Sequence, residues 1–333
     1  MTDSVEPTQA EIERAVATLR SGGLVAFPTE TVYGLGADAA NDDAVRRVFE
    51  VKGRPSDHPL IVHLADASQL DEWADSVSPT ARTLADAFWP GPLTLLVERS
   101  SSVSPAVTGG RSTLGLRVPD HPVALELLRT FGGGIAAPSA NRFGRVSPTT
   151  AAHVVADLGD DVDVVLDGGP CRVGVESTIV DLTADPPVVL RAGGISLDRL
   201  EEVLGHSLEV HVSNEPSNAG ARAPGMLEAH YAPNARVMLA SEHELVDLLI
   251  NILKSAKGPI GLLAESSLVG LPEDVVVLEP AGTADEYAAV LYSRLRQADR
   301  LGLEALVCVP PPAVGVGLAV NDRLRRAAAS SQS

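Results

Sequence analysis

Lys52 is the only lysine among the first 250 residues of the chain, which hold 17 arginines. It opens the segment Lys52-Gly53-Arg54-Pro55-Ser56-Asp57-His58-Pro59-Leu60-Ile61-Val62-His63, where two cations and two histidines fall within twelve residues. An ammonium is a compact point charge and a guanidinium a planar fork, so the pair suits a polyphosphate better than either alone. The competing reading is a solvated basic loop, weakened by a composition that elsewhere puts arginine wherever a cation is needed. His63 ends an apolar run and, taken alone, reads first as a satisfied core histidine.

Four further patches carry possible chemistry. Phe27-Pro28-Thr29-Glu30-Thr31-Val32-Tyr33-Gly34-Leu35-Gly36 follows an apolar strand-like run, and its hydroxyls alternate with glycines that let backbone approach a ligand. It reads as a ligand loop or as an ordinary polar turn. In Arg111-Ser112-Thr113-Leu114-Gly115-Leu116-Arg117-Val118-Pro119, Arg117 falls within an apolar strand. A charge there needs an inward ion partner or an anionic ligand. Ala136-Ala137-Pro138-Ser139-Ala140-Asn141-Arg142-Phe143-Gly144-Arg145-Val146-Ser147-Pro148 offers small hydroxyls and an amide after a strand, suited to phosphate and sugar or to a turn and helix cap. Gly174-Val175-Glu176-Ser177-Thr178 with Arg191-Ala192-Gly193-Gly194 is the last. There is no G-x-S-x-G, no H-E-x-x-H and no Walker A, so phosphate binding would use another cradle.

The elements that must position these patches are legible as periodicity. Thr8 and Glu11 form a capping box before Ile12, Val16 and Leu19, and Ser21-Gly22-Gly23 stops that helix. Short apolar runs predict strands at 24–27, 60–64, 93–97, 114–118, 135–137, 162–166 and 178–182. Helical spacing predicts helices at 42–51, 79–88, 123–131 and 149–158. This mixture argues for an α/β layer architecture, without fixing a strand order. Residues 204–234 lack periodicity and carry Ser213 to Gly220 and Ala223-Pro224-Gly225, a linker composition. Beyond it, strands at 236–240, 260–264, 275–278 and 305–309 and helices at 242–256, 284–301 and 318–329 predict a small parallel sheet of Rossmann-like shape. No G-x-G-x-x-G follows its first strand, so a dinucleotide site is not supported. The expected organisation is a catalytic domain at 1–203, a linker at 204–234 and a C-terminal α/β domain at 235–333.

Charge and composition narrow the function classes. Acidic residues number 44 against 26 basic, a net charge of -18, and residues 1–203 alone hold 29 against 16. Neither part carries the positive surplus of a protein that grips nucleic-acid backbone. The two cysteines, Cys171 and Cys308, cannot build a four-cysteine zinc site and suit a reducing compartment. The first nine residues hold Asp3 and Glu6 and no apolar stretch, unlike a signal peptide. The uncharged run 305–320 contains Pro310, Pro311 and Pro312 and is too short to span a bilayer. A soluble, cytoplasmic protein with no membrane partner is the expectation.

Taken in order, the five patches resemble the YrdC-like family. The carrying residues are Pro28-Thr29-Glu30-Thr31-Val32-Tyr33-Gly34-Leu35, Lys52-Gly53-Arg54-Pro55, Ser139-Ala140-Asn141 and Glu176-Ser177-Thr178. Ala223-Pro224-Gly225-Met226, His230-Tyr231-Ala232-Pro233 and Gly317 to Leu324 are similar to its long, two-domain threonylcarbamoyl-AMP synthases; Leu227-Glu228-Ala229 departs from the basic or aromatic residues often seen there. The resemblance implies a twisted mixed sheet with helices around a concave pocket, plus a small Rossmann-like domain. It implies a reaction in which L-threonine, bicarbonate and ATP give L-threonylcarbamoyladenylate and pyrophosphate, for later transfer to tRNA by a partner transferase complex, without stable tRNA binding by this chain. Magnesium on the triphosphate is expected, with no protein ligands named. Thr31, His63, Arg117, the backbone of Ala137 and Ser177 would hold threonine. Lys52, Arg54, His58, Thr113, Ser139, Asn141, Ser147 and Arg191 would hold ATP, Lys52 and Arg54 acting in catalysis, with Tyr231 closing over the pocket. A carbamoyl-transferring maturation factor and an RNA-binding module are the competing functions. The first needs zinc-finger modules that two cysteines cannot supply, and the second a basic footprint.

Overall fold

The structure is a computed structural model, and residues 6–210 and 231–330 are described. The described residues fall into two compact units: 6–143, 147–172 and 176–210 form one, and 144–146, 173–175 and 231–330 the other.

In the first unit the chain runs α1 (Gln9–Arg20), β1 (Val25–Phe27), β2 (Gly34–Asp38), α2 (Asp42–Lys52), β3 (Ile61–His63), α3 (Leu70–Trp73), α4 (Pro79–Phe88), β4 (Leu93–Glu98), α5 (Pro105–Thr108) and β5 (Thr113–Arg117). It continues through α6 (Pro122–Phe131), β6 (Ile135–Ala136), α7 (Ala151–Leu158), β7 (Val164–Val165), β8 (Thr178–Asp181), β9 (Val188–Arg191), α8 (Leu197–Leu204) and β10 (Glu209–Val210). The ten strands make one mixed sheet in the order β10-β9-β8-β4-β5-β3-β6-β2-β1-β7. Ile12, Val16 and Leu19 of α1 pack with Val123, Leu127 and Leu128 of α6 over Phe27 and Ile135. Val45, Val48 and Phe49 of α2 join Leu84 of α4 and Leu95 and Leu116 of the sheet in the larger core. Each fully buried side chain of this size contributes about 1.5–3 kcal/mol by leaving water.

The expected elements are found, and six others were not expected: β2, α3, α5, β9, α8 and β10. β2 begins inside the Thr- and Gly-rich patch that read as a loop or turn. Gly36 is required there, because a Cβ would stand 2.8 Å from both Phe27 and Ile135. Residues 204–210 continue the first unit, since α8 runs past 203 and β10 pairs in parallel with β9. Most of the expected linker, 211–230, including Ala223-Pro224-Gly225-Met226 and His230, lies outside the described residues.

The second unit carries β11 (Arg236–Leu239), α9 (Glu242–Leu253), β12 (Ile260–Leu263), β13 (Val275–Val277), α10 (Ala284–Arg300), β14 (Ala305–Cys308) and α11 (Gly317–Ser330). Its four strands are all parallel, in the order β11-β14-β12-β13, over a core containing Leu249, Ile260, Leu262 and Val307. The parallel sheet is as expected. No helix among the described residues is long and apolar enough to cross a membrane.

Candidate active site

Helix α2 delivers the lysine. Asn41 caps its start, and Gly53, at φ 62°, ends it in a left-handed turn that returns the Arg54 N–H to the Phe49 carbonyl. Lys52 is thereby held in the last turn, buried. Its Nζ donates to the Ser139 carbonyl at 2.5 Å and to the Asn141 carbonyl. Phe143 N–H donates back to the Lys52 carbonyl at 2.8 Å, so the loop after β6 is laced to the helix end. Among the described residues no carboxylate comes within ion-pair distance of Lys52. Burial pushes its ammonium well below the ordinary lysine range, and the Arg54 charge adds to the effect. Arg54 is also buried; its guanidinium carbon lies 5.9 Å from the Phe143 ring centroid, and Nη2 donates to the Pro59 carbonyl at 3.1 Å. The His58 ring packs on Phe143 at 5.6 Å, and burial, then Arg54, lowers its pKa. Lys52, Arg54, His58, Ser139 and Asn141 therefore form one cluster in which two buried cations stand together.

A second cluster is built on the short strand β3. Its last residue, His63, pairs in register with Arg117, the last residue of β5. The Ala137 N–H donates to the carbonyl of Ile61, where β3 begins. At about 3.3 Å per residue, the strand keeps these positions within about 7 Å of one another along its length. His63 is packed edge-on against Phe27, with ring centroids 5.8 Å apart, and burial, then the Arg117 charge, pushes its pKa down to about 3. Arg117 Nε donates to the Gly91 carbonyl at 3.2 Å, and Nη2 stands 2.7 Å from Glu30 Oε1. Both partners are buried, so the inward ion pair that the sequence left as an alternative is present. Next to Glu30, the hydroxyls of Thr29 and Thr31 share a hydrogen bond of 2.8 Å, and Thr29 donates to the Val32 carbonyl at 2.6 Å.

The start of β8 adds a third group. The Ser177 hydroxyl shares a 2.8 Å hydrogen bond with Thr94 of β4 and accepts from Arg191 Nη2 at 3.0 Å. Arg191 also grips the Ser177 carbonyl through Nε and Nη2, at 3.0 and 2.9 Å. Ser147 donates to Glu176 Oε1 at 2.8 Å. β4 runs antiparallel to β5 with Leu95 opposite Leu116, which brings Thr94 to the Arg117 end of β5.

Thr113 is half-buried at the other end of β5 from Arg117, about 13 Å away by strand rise. Tyr231, expected over the pocket, packs inside the second unit: its ring stacks on Tyr292 at 5.5 Å, and the guanidinium of Arg323 lies 5.4 Å from its centroid. Glu30, Thr94 and Glu176 are the partners to which sequence reasoning gave no role of their own. For Glu30 the signal was the unpaired arginine in strand β5; Thr94, in an apolar run, gave none. Among the described residues no group of three or more His, Cys, Asp or Glu side chains converges as a metal site.

The family model described as telomere recombination, of the Sua5, YciO and YrdC proteins, matches residues 17–193. A second, described as the threonylcarbamoyl-AMP synthase C-terminal domain, matches residues 195–329. The threonylcarbamoyl-AMP synthase of Bacillus subtilis is 42% identical over 334 residues, spanning 98% of this chain and 96% of that protein. The chain belongs to the threonylcarbamoyl-AMP synthase family. Its members are enzymes that use ATP in transfer chemistry serving tRNA modification. The Pyrococcus abyssi synthase is 42% identical over 95% of this chain and 94% of its own length. The crystal structure of P. abyssi Sua5 complexed with L-threonine has a TM-score of 0.90 to this chain, at 41% identity, covering 96% of this chain and 94% of that one. Coverage of the whole two-domain length does not favour the maturation-factor or RNA-binding readings.

Proposed function

We propose that in this threonylcarbamoyl-AMP synthase the Lys52–Arg54 cluster holds the triphosphate of ATP and the Arg117–His63 cluster holds L-threonine. The observation that carries the first half is the buried ammonium of Lys52, which has carbonyl partners and a neighbouring guanidinium but no carboxylate in ion-pair distance. Two like charges taken out of water together are stabilised when an anion joins them. The L-threonine bound in the P. abyssi relative supports the second half.

Threonine's amine, in its neutral form, captures bicarbonate as a carbamate with release of water, and a carbamate oxygen then attacks the α-phosphorus as pyrophosphate departs. Arg117 is suited to the amino acid's carboxylate, with Thr31, Ser177 and the Ala137 backbone around the rest of it. His63, neutral at physiological pH, offers a ring nitrogen rather than a charge. Lys52 and Arg54 oppose the charge that grows on the transferring and leaving phosphates, and fixed cations in a water-poor site need no reorganisation as the reaction proceeds. Burial also protects the carbamate, which is labile in water. His58, Ser139, Asn141, Ser147 and Arg191 complete the nucleotide site, with Thr113 reaching it from the far end of β5. Tyr231 and the linker are assigned to closure of the site. Magnesium is expected to arrive on the triphosphate; the described residues present no protein cage for it. Bicarbonate as carbon source and a downstream transferase complex belong to the same proposal.

The test is pyrophosphate release by the purified chain. It should require threonine and bicarbonate together; equal release without threonine would refute the substrate assignment.

A further inference from the structure

The Glu30–Arg117 pair is unusual in how little else it holds. Glu30 has no exposed surface, and neither carboxylate oxygen accepts a hydrogen bond from any group; Arg117 Nη2 is 2.7 Å from Oε1 but out of line for one. A buried carboxylate ordinarily draws two or more N–H or O–H donors. His63 Nδ1, beside Arg117 in the next strand, is also without a hydrogen bond. The hydroxyls nearest in sequence, Thr29 and Thr31, are turned to each other rather than to Glu30.

The chemistry of this pair matches one class of ligand. An α-amino acid is a zwitterion, with an ammonium and a carboxylate one carbon apart. Set against a buried carboxylate and guanidinium, its two charges alternate with theirs, and the buried set stays at zero net charge. An anion without the ammonium would put two carboxylates beside one guanidinium, which is unfavourable in a dry site. Resting on the reading above that Arg117 takes threonine's carboxylate, we propose that Glu30 is the anionic half of the same site and binds the α-ammonium. The ion pair is then a recognition element for the amino acid zwitterion, and the hydrogen-bonding capacity that the Glu30 oxygens leave unused is what that donor takes up.

The test compares two probes on the full chain by titration calorimetry: L-threonine, and 2,3-dihydroxybutanoate, in which a hydroxyl replaces the ammonium. Glu30→Gln should weaken threonine at least tenfold, about 1.4 kcal/mol, while the analogue's affinity stays within twofold or improves. Glu30→Asp, which keeps the charge, should retain the wild-type preference for threonine. Equal weakening of both probes by Glu30→Gln would mean that Glu30 only holds Arg117 in place, and no weakening of either would mean that it holds nothing; each overturns the proposal. Should Glu30→Gln not fold, loss of the preference in Glu30→Asp overturns it instead. Arg117→Gln separates the two levels: unchanged threonine affinity there refutes the carboxylate assignment on which the proposal rests, whereas a loss there with Glu30→Gln flat refutes the proposal alone.

Discussion

Replacing Lys52 by methionine removes one charge while keeping an unbranched stem of similar length. If the ammonium faces a phosphate at about 4 Å, the attraction lost is about 4 kcal/mol at an effective dielectric near 20. At about 1.4 kcal/mol per factor of ten, that corresponds to a fall in kcat/KM for ATP of about a thousandfold. Stability should change much less. The Ser139 and Asn141 carbonyls lose a donor, at about 1–3 kcal/mol each, while removal of a buried charge acts in the opposite direction. The assay is pyrophosphate release at saturating threonine and bicarbonate, with ATP varied, beside a thermal melt of each variant. Lys254, exposed at the end of α9 with only Asn251 for company, is the control, and Lys254→Met should match wild type. A loss below tenfold for Lys52→Met, or equal effects at the two lysines, would refute the reasoning that the buried ammonium meets the triphosphate.

Burial and Arg54 depress the Lys52 pKa, and a bound phosphate would restore it. ATP binding should therefore take up protons at pH values between the depressed value and about 10.5, seen as a buffer-dependent binding enthalpy that Lys52→Met abolishes. His63 titrates at about 3 when folded and near 6.5 when unfolded, so the unfolded chain binds the extra proton in between. Stability falls as pH drops from 6.5 towards 3, by up to about 5 kcal/mol, and His63→Asn should flatten that part of an acid unfolding curve. Tyr231→Ala should cost the second unit about 3–5 kcal/mol, on the scale of other buried aromatics, whereas Tyr231→Phe keeps the stack on Tyr292 and the Arg323 contact and should cost less than the alanine variant. Cys171 is a buried thiol whose pKa is raised by that burial, so native protein at neutral pH should resist its alkylation and urea-unfolded protein should not.

Much of the architecture was written in local pattern. Helix α1 announced itself through the Thr8–Glu11 capping box, and the second unit through a regular alternation of strands and helices, because capping and amphipathic period are properties of neighbouring residues. β2 escaped because glycines at 34 and 36, the second needed for close approach to Phe27 and Ile135, erase the alternation that marks a strand. β10 escaped because two exposed residues, Glu209 and Val210, have no pattern at all and form a strand only by pairing with β9.

The candidate site divides along the same line. Residue type and order were enough for the sequence to single out the lone Lys52 beside Arg54, the Thr-rich loop after β1 and the misplaced charge of Arg117, since each is an anomaly against its own surroundings. What those anomalies do for one another was decided by tertiary structure. Lys52 lies 87 and 89 residues from the carbonyls that hold it, and Glu30 reaches Arg117 across a comparable stretch of chain. Side-chain electrostatics act over a few ångströms of space, and only the pairing order of a ten-stranded sheet brings positions so remote in sequence within that range.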